Sequence, residues 1–344
     1  MRTGRLPDLR VAVIGAGYWG PNLVRNFSEA PGGEAVAVAD LSDERLAAIR
    51  KRFPAVRTTR DHRELLADPS IEAVCIVTPI STHRALAEEA LSAGKHVFVE
   101  KPLAGSVADA EAIVRAAERA GRTLMVGHTF VYNPAVTAVR GLLESGDLGK
   151  VQYIDSQRVN LGLHQFDFNV LWDLGPHDVS ISLYWLGEEP EWVQCIGACF
   201  VQPEIEDVVF LTMGFPSGAL AQAHLSWLAP SKLRRMAVIG SKKMAVYDDT
   251  EAAERVKVYD HGVESLSSEE LRRSYRAGDI HSPRVPVTEA LQLEVRHFIE
   301  CVREGKRPRS DGEAGLQVVR VLEAGMRSLR QQGARVAYRE AARV

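Results

Sequence analysis

An apolar run that opens directly into a glycine-rich turn constrains the fold of this chain more than any other feature. Residues 11–14 (VAVI) precede Gly15-x-Gly17-x-x-Gly20, and the residues after Gly20 have the pattern of a helix. In such a strand–turn–helix, Gly15 permits the tight turn, Gly17 lets the backbone approach a pyrophosphate, and Gly20 lets helix and strand pack closely. The helix N-terminus offers free N–H groups to phosphates. We therefore expect a dinucleotide site; the alternative is a structural turn without a ligand.

An acidic residue lies where the second strand of such a domain would end. Asp40 follows the apolar run 35–39 and comes twenty residues after Gly20. A carboxylate there can accept hydrogen bonds from an adenosine ribose. It also repels a 2′-phosphate, by about 4 kcal/mol for two unit charges roughly 4 Å apart at an effective dielectric near 20. Residues 41–43 supply no arginine to hold that phosphate. The sequence therefore favours NAD over NADP.

The composition is that of an ordinary globular protein with room for two domains: 344 residues, 46% hydrophobic and 25% charged. A net charge of −3 gives no electrostatic reason to expect nucleic acid or a membrane as partner. The four cysteines have no spacing typical of zinc, and we expect no metal. No apolar run approaches the length of about 20 residues that spans a bilayer, and no secretory signal pattern is evident. We expect a cytoplasmic protein with reduced thiols.

The first part of the chain alternates between short apolar runs and helical patterns. Almost continuously apolar runs, typical of parallel strands buried on both faces, lie at 9–14, 34–40, 73–77, 96–99 and 124–127. Helical patterns lie at 20–29, 43–53, 61–67, 81–93 and 106–120. This alternation predicts an α/β, doubly wound parallel sheet of the Rossmann type over residues 1–127, which would bind the cofactor.

The rest of the chain predicts an α+β domain over residues 128–344, with C-terminal helices able to pack back on the first domain. Strand-like runs joined by short turns lie at 151–160, 191–201, 205–214, 218–228, 234–240 and 243–248. They predict a large open, mostly antiparallel sheet. Helical patterns lie at 133–145, 173–186, 288–304 and 311–332. The polar, turn-rich region 260–285 is expected to be a long loop or a lid. Because one face of an open sheet needs covering, we expect a homo-oligomer, dimer or tetramer.

Three short polar segments carry the side chains that could do chemistry. Segments 78–83 (TPISTH) and 100–102 (EKP) each follow a buried strand, and segment 172–178 (WDLGPHD) begins a helix of the second domain. Ligands of open α/β sheets bind beyond the carboxyl ends of the strands. The first two segments are therefore expected beside the nicotinamide, with His83 a helix-start residue near the cofactor rather than a catalyst.

Lys101 and the pair Asp173 and His177 are the candidates for proton transfer. Next to a positively charged nicotinamide the pKa of Lys101 should fall, which makes proton exchange with a substrate hydroxyl feasible. Asp173 and His177 share one helix face, where the carboxylate would orient the imidazole and raise its basicity. The alternatives are a surface Lys101 paired with Glu100, and an N-cap Asp173 followed by a structural histidine.

In their order along the chain, these segments resemble the glucose–fructose oxidoreductase, inositol dehydrogenase and rhizopine catabolism (Gfo/Idh/MocA) family. The resemblance rests on the glycine-rich turn, Thr78-Pro79, residues 93–102 (AGKHVFVEKP) and Asp173-x-x-x-His177. It implies NAD(P)-dependent oxidation of a secondary alcohol, or the reverse reduction, on a sugar or cyclitol. It also implies that Lys101 and His177 handle the proton with help from Asp173, and that dimers or tetramers form through the open sheet. The expected cofactor contacts are Gly15, Gly17, Tyr18, Trp19, Gly20, Asp40, Thr78, Pro79, His83, Glu100 and Lys101.

A narrower resemblance is to bacterial nucleotide-sugar 3-dehydrogenases and sugar 3-ketoreductases. It rests on residues 18–22 (YWGPN), 158–162 (RVNLG), 169–174 (NVLWDL) and 231–236 (SKLRRM). Lys232 and Arg234 lie on one side of a predicted strand, where they would meet a diphosphate or form a solvated basic face. The expected substrate contacts are Lys101, Arg158, Asn160, Asn169, Asp173, His177, Lys232 and Arg234.

The function expected from the whole sequence is hydride transfer between NAD and C3 of a nucleotide-linked hexose. The alternatives are a dehydrogenase of a free cyclitol or sugar, a redox-neutral epimerase or glycosidase that retains NAD, and an NAD sensor without turnover. The sequence leaves open the substrate, the reacting carbon and the direction of the reaction.

Overall fold

The computed structural model of the protein describes residues 7–162, 167–265 and 273–339. The chain divides into two compact units. The first unit combines the residues up to Tyr132 with Thr288–Val319, and the second combines Asn133–Val287 with the residues from Arg320 onward. Each unit is therefore built from two separate stretches of sequence.

The secondary structure follows the order expected for a nucleotide-binding half and an α+β half. The strands are β1 (Leu9–Ile14), β2 (Gly33–Ala39), β3 (Arg57–Thr59), β4 (Ala73–Ile76), β5 (His96–Glu100), β6 (Leu124–Gly127), β7 (Val151–Leu161), β8 (Trp192–Ala198), β9 (Val208–Gly214), β10 (Leu220–Ser226), β11 (Leu228–Gly240), β12 (Met244–Asp248), β13 (Val256–Ser265), β14 (Arg273–His281) and β15 (Val336–Ala337). The α-helices are α1 (Gly20–Glu29), α2 (Asp43–Arg52), α3 (His62–Ala67), α4 (His83–Ser92), α5 (Val107–Ala120), α6 (Pro134–Glu144), α7 (Val170–Leu186), α8 (Ala290–Glu304) and α9 (Gly312–Arg330).

The sheet of the first unit is parallel, with the strand order β3-β2-β1-β4-β5-β6. This is the order of a dinucleotide-binding doubly wound sheet, whose strand order reverses between β1 and β4. All four residues of β4 are buried, as expected for a strand covered on both faces. The predicted Rossmann fold is confirmed. Strand β3 was not predicted, because its three polar residues at the sheet edge lack the run of apolar residues that indicates a buried strand.

The sheet of the second unit has the order β14-β13-β12-β11-β7-β10-β9-β8-β15. Its pairs are antiparallel except for β7 with β10, which confirms the predicted mostly antiparallel sheet. Helix α7 packs against β7, β9 and β10. In β9 the residues Val209, Leu211 and Met213 are buried, whereas Phe210 between them is exposed. The sheet therefore has one packed face and one open face.

The prediction of a long loop over residues 260–285 was wrong. The chain there forms β13 and β14, which pair antiparallel at one edge of the sheet. Edge strands commonly carry charged and polar side chains, which oppose pairing with other chains. Such strands lack the apolar alternation that marks a strand in sequence. Residues 266–272, also within that prediction, lie outside the described residues.

Two general properties bear on the site. In the described part of the chain no helix is both long and apolar enough to cross a membrane. The four cysteines are free, and Cys199 is the exposed one among them.

Candidate active site

The glycine-rich turn has the geometry that a pyrophosphate requires. Gly15 has φ +106°, and a Cβ on it would lie 2.7 Å from the carbonyl oxygen of Val77. A Cβ on Gly20 would lie 2.3 Å from the carbonyl oxygen of Gly15, so neither position accepts a side chain. A Cβ on Gly17, by contrast, would meet no described protein atom within 4 Å. Protein packing does not require Gly17, and its bare backbone fits the close approach of a phosphate.

Asp40 organises this turn through both of its carboxylate oxygens. Oδ2 accepts a hydrogen bond from the N–H of Ala16 at 2.6 Å, and Oδ1 accepts one from the N–H of Ser42 at 2.8 Å. Arg45 on α2 brings its guanidinium to 3.7 Å from Asp40 Oδ2. Residues 41–43 supply no arginine, but the first turn of α2 brings Arg45 back to this carboxylate, a return that the local sequence pattern does not reveal.

His83 links the segment that follows β4 to the segment that follows β5. Its Nε2 lies 2.9 Å from the carbonyl oxygen of Thr78, and its Nδ1 lies 3.0 Å from that of Pro102. The ring is buried, and this burial lowers its pKa below the ordinary value. His83 therefore fixes the position of the loop containing the cis Lys101–Pro102 bond, and Thr78 and Pro79 lie at the other end of the same link.

Three buried titratable side chains interact electrostatically with Lys101 or with its neighbour Glu100. Glu100 accepts the N–H of Lys101 at 3.1 Å, and burial raises the pKa of Glu100 to about 7 although the Lys101 charge opposes this shift. Burial, assisted by the Lys101 charge, lowers the pKa of His128 to about 3. Glu294 accepts a hydrogen bond from the Thr129 hydroxyl at 2.8 Å, and burial together with the charge of Glu100 raises its pKa. These shifts favour uncharged forms of all three groups.

Glu294 was not predicted as a site residue, although its place in the sequence, on the apolar face of a helix, is unusual for a carboxylate. In α8 the residues Leu291, Val295 and Phe298 are buried at helical spacing, and Glu294 lies among them with no exposed surface. A carboxyl group on the apolar face of an amphipathic helix is rarely there for packing. His128 follows directly after β6, at the same edge of the sheet as Glu100.

We predict that Glu294→Gln makes the protein less sensitive to rising pH. A buried acid with a raised pKa contributes stability while it is protonated, and this stability is lost as the pH rises from about 4.5 through the raised value. Glutamine copies the protonated form and does not ionise. Relative to the wild type, the variant should therefore gain at least about 1 kcal/mol of unfolding free energy between pH ~5 and ~8. Thermal unfolding across this range measures the effect, with the exposed Glu118→Gln on α5 as control. Parallel pH profiles for wild type and Glu294→Gln would contradict the prediction.

In the second unit, Asn169 begins helix α7. Its Oδ1 accepts the N–H of Trp172 at 3.3 Å, and its Nδ2 donates to Glu206 at 2.6 Å. The side chain is buried. The predicted start of this helix at residue 173 was therefore three residues late, and Asp173 is not the N-cap but lies inside the first turn.

Asp173 and His177 lie one turn apart on α7, both partly exposed. The Asp173 Oδ2 accepts a hydrogen bond from the indole Nε1–H of Trp227 at 3.0 Å. Trp227 is fully buried at the junction of β10 and β11. Trp227 was not predicted as a site residue, because its local sequence pattern does not indicate a partner 54 positions away.

The remaining predicted substrate residues differ in their surroundings. Arg158 is buried and donates through Nε to Asp178, whose other oxygen accepts the Ser156 hydroxyl. Arg234 lies 3.4 Å from Asp249. Lys232 is exposed and Asn160 is partly exposed. Within the described ranges, no group of three or more His, Cys, Asp or Glu side chains is arranged to hold a metal ion.

The parallel sheet, the glycine-rich turn and the lysine after β5 define a dinucleotide-binding oxidoreductase, and the comparison with known families agrees. The model of an oxidoreductase family with an NAD-binding Rossmann fold matches residues 9–128, and the GFO/IDH/MocA C-terminal domain matches residues 136–246. The chain belongs to the Gfo/Idh/MocA family of oxidoreductases, which confirms the resemblance predicted from its motifs.

The relatives of this chain include a cyclitol dehydrogenase and a dehydrogenase of a nucleotide-linked sugar. A solved oxidoreductase from Magnetospirillum magnetotacticum is 33% identical, with a TM-score of 0.79, covering 92% of this chain and 99% of that one. The scyllo-inositol 2-dehydrogenase (NAD+) of Bacillus subtilis is 29% identical over 88% of each chain. The UDP-N-acetylglucosamine 3-dehydrogenase of Acidithiobacillus ferrooxidans is 27% identical, covering 90% of this chain and 94% of the relative. The family assignment therefore extends to sugar and cyclitol oxidoreductases.

Proposed function

We propose that the protein transfers a hydride between NAD and C3 of a nucleotide-linked hexose. The observation that carries the oxidoreductase part is the Asp173–His177 pair on α7, whose carboxylate is fixed by Trp227. Bound NAD supplies the hydride acceptor for an alcohol, or the reduced form supplies the donor for a ketone. In this proposal His177 takes the single hydroxyl proton as the hydride leaves, or returns it in the reverse direction. Asp173 stabilises the imidazolium that forms, and Lys101 polarises the same oxygen.

NAD rather than NADP is proposed because of the carboxylate at position 40. A 2′-phosphate would approach a group whose two oxygens already accept backbone N–H bonds. Arg45 reduces this repulsion without removing it, because its guanidinium is 59% exposed and solvent screens its charge, whereas the Asp40 side chain is 8% exposed. Tyr18 and Trp19, exposed at 84% and 41%, lie within the turn between Gly17 and Gly20 and are proposed to cover the dinucleotide.

The nucleotide-linked hexose is the finer part of the proposal. It is supported by the likeness to a UDP-N-acetylglucosamine 3-dehydrogenase and by Lys232, an exposed cation suited to a diphosphate. A free cyclitol is the second candidate, since the inositol dehydrogenase relative has a similar identity. A cyclitol would leave Lys232 without a phosphate to bind. A redox-neutral reaction would show tightly held cofactor and no net NADH.

We propose that the protein forms a homodimer or homotetramer through the open face of the second unit's sheet, and that it acts in the cytoplasm. The open face presents exposed apolar side chains from four strands, namely Tyr153, Ile196, Phe210 and Leu220. On it the Phe210 ring stacks on His224 at 4.5 Å between centroids. A second copy is a natural cover for such a surface. Free cysteines are compatible with a reducing compartment.

Calorimetry tests the class of cofactor first and the class of substrate second. We expect NAD to bind at least about fivefold more tightly than NADP, a difference of roughly 1 kcal/mol. On the NAD-saturated protein, uridine or thymidine diphosphate is expected to bind at micromolar concentration, and Lys232→Ala should weaken that binding. Heat from an inositol or a free hexose, with none from either nucleotide, would contradict the nucleotide-sugar assignment and leave the dehydrogenase assignment standing.

A further inference from the structure

Trp227 is held in place by its backbone as well as by its side chain. Its N–H donates to the carbonyl oxygen of Asp207 at 3.0 Å, and its own carbonyl accepts the N–H of Gly162 at 2.9 Å. The side chain has no exposed surface, and its indole N–H reaches Asp173 Oδ2 at 3.0 Å. A donor anchored in this way has little freedom to leave its acceptor.

Gly162 provides the space in which the indole lies. A Cβ on Gly162 would lie 2.5 Å from Cδ1 and 3.0 Å from Cγ of Trp227, so the ring rests directly against a backbone that accepts no side chain. Gly162 is the last residue of segment 158–162, which suggested a nucleotide-sugar enzyme in sequence. Packing therefore requires glycine at position 162, because any larger residue would displace the ring that contacts Asp173.

The indole is chemically suited to fixing a carboxylate. It is a donor only and carries no charge at any pH of interest. A hydrogen bond to an ionised acceptor is shorter and stronger than one between neutral groups. The bond therefore restrains the rotation of the Asp173 carboxylate without neutralising it. Asp173 and His177 lie on the same face of α7, so the orientation of this carboxylate decides how well it stabilises a protonated imidazole.

We propose that Trp227 is a positioning residue that acts through Asp173 on His177 and is itself kept in place by Gly162. The proposal rests on the proton-transfer role given to His177 above. It adds a buried tryptophan and a glycine, neither of which touches the reacting atoms, to the groups on which the rate of proton transfer depends.

The test is the titration of His177 in Trp227→Phe, followed by NMR on histidine-labelled protein with the resonance assigned by its loss in His177→Asn. Phenylalanine keeps an aromatic ring in the cavity but donates no hydrogen bond. Without the hydrogen bond from the indole, the Asp173 carboxylate is less firmly oriented, so the imidazolium should be less stabilised and the His177 midpoint should fall by about half a pH unit or more. In an Asp173→Ala background the same substitution should produce no further shift, because the pathway through the carboxylate is gone.

Trp185→Phe is the matched control. Trp185 is also buried and lies on α7, the helix that carries Asp173 and His177. Its indole, however, donates to the backbone carbonyl of Val136 at 3.0 Å. This variant should lose stability and leave the His177 midpoint unchanged. An unchanged or raised midpoint in Trp227→Phe, or an equal shift in Trp185→Phe, would overturn the proposal. Should Trp227→Phe not fold, Gly162→Ala displaces the ring while keeping the donor and is expected to lower the midpoint in the same direction.

Kinetics on whichever sugar is turned over give a second readout. Trp227→Phe should lower kcat by about tenfold or more with KM nearly unchanged, since the residue serves proton transfer rather than substrate binding. The NMR titration needs no substrate, so the two proposals can fail separately. A shifted His177 midpoint in a protein that oxidises no sugar would contradict the proposed function alone.

Discussion

Lys101→Met and His177→Asn are each expected to lose turnover by a factor of about 10³ or more while binding NAD nearly as well as the wild type. General acid–base groups typically contribute between about 10² and 10⁴ in rate. Methionine keeps the length and apolar stem of lysine but removes its charge, and asparagine keeps a hydrogen-bonding side chain that cannot take up a proton. The cofactor turn lies elsewhere in the first unit and is built from glycines and Asp40. Steady-state kinetics and NAD calorimetry on the same preparations separate the two effects.

Lys95→Met is the control for removing a buried lysine. The Nζ of Lys95 donates to the carbonyl oxygens of Asp68 and Ile71 at 2.7 and 2.8 Å. Its role is to satisfy backbone groups, so its loss should reduce stability and leave the turnover of folded protein intact. Full activity in both Lys101→Met and His177→Asn would be incompatible with the proposed mechanism. If the wild type and the variants all bind NAD but turn over no sugar or cyclitol, the results would favour a cofactor sensor.

The parts of the fold and site that could be predicted are those that local patterns determine. Buried strands such as β1 and β4 are short apolar runs, and the close contact of Gly20 with Gly15 lies within a single strand–turn–helix. Helix ends are also local, as where Ser106 accepts the N–H of Asp109 at the start of α5 and Gly121 ends it with φ +59°. These features depend on residues a few positions apart, which a single sequence displays directly.

The parts that could not be predicted depend on partners distant in the chain. Trp227 meets Asp173 across 54 positions, and Glu294 meets Thr129 across 165. Neither partner alters the local hydrophobic period of the other, so only the folded chain reveals the pair. The edge strand β14 and the part of β13 from residue 260 onward were missed for a different reason, since their sequence is rich in polar residues and matches the pattern of a loop. Arg158 illustrates a further limit, because the sequence predicted a cation facing substrate whereas the structure gives that cation an internal carboxylate.

The second large effect is expected from breaking the buried ion pair between Arg158 and Asp178. Asp178→Ala is expected to lower the unfolding free energy of the second unit by about 3–5 kcal/mol, because it leaves the Arg158 guanidinium buried without its carboxylate. Both side chains of the pair are almost inaccessible, at 3% and 1% exposed, so solvent cannot replace the lost partner. The Ser156 hydroxyl would lose its acceptor as well.

The paired replacement Arg158→Met with Asp178→Leu removes both charges and should recover most of that loss, since apolar side chains of similar volume need no charged partner. Chemical denaturation monitored by hydrogen exchange of the α7 amides assigns the effect to the second unit. The control is Glu144→Ala on α6, which breaks the exposed pair with Arg140 and should cost no more than about 0.5 kcal/mol. A loss under about 1 kcal/mol in Asp178→Ala would contradict this prediction, because it would mean that water or other partners satisfy the guanidinium.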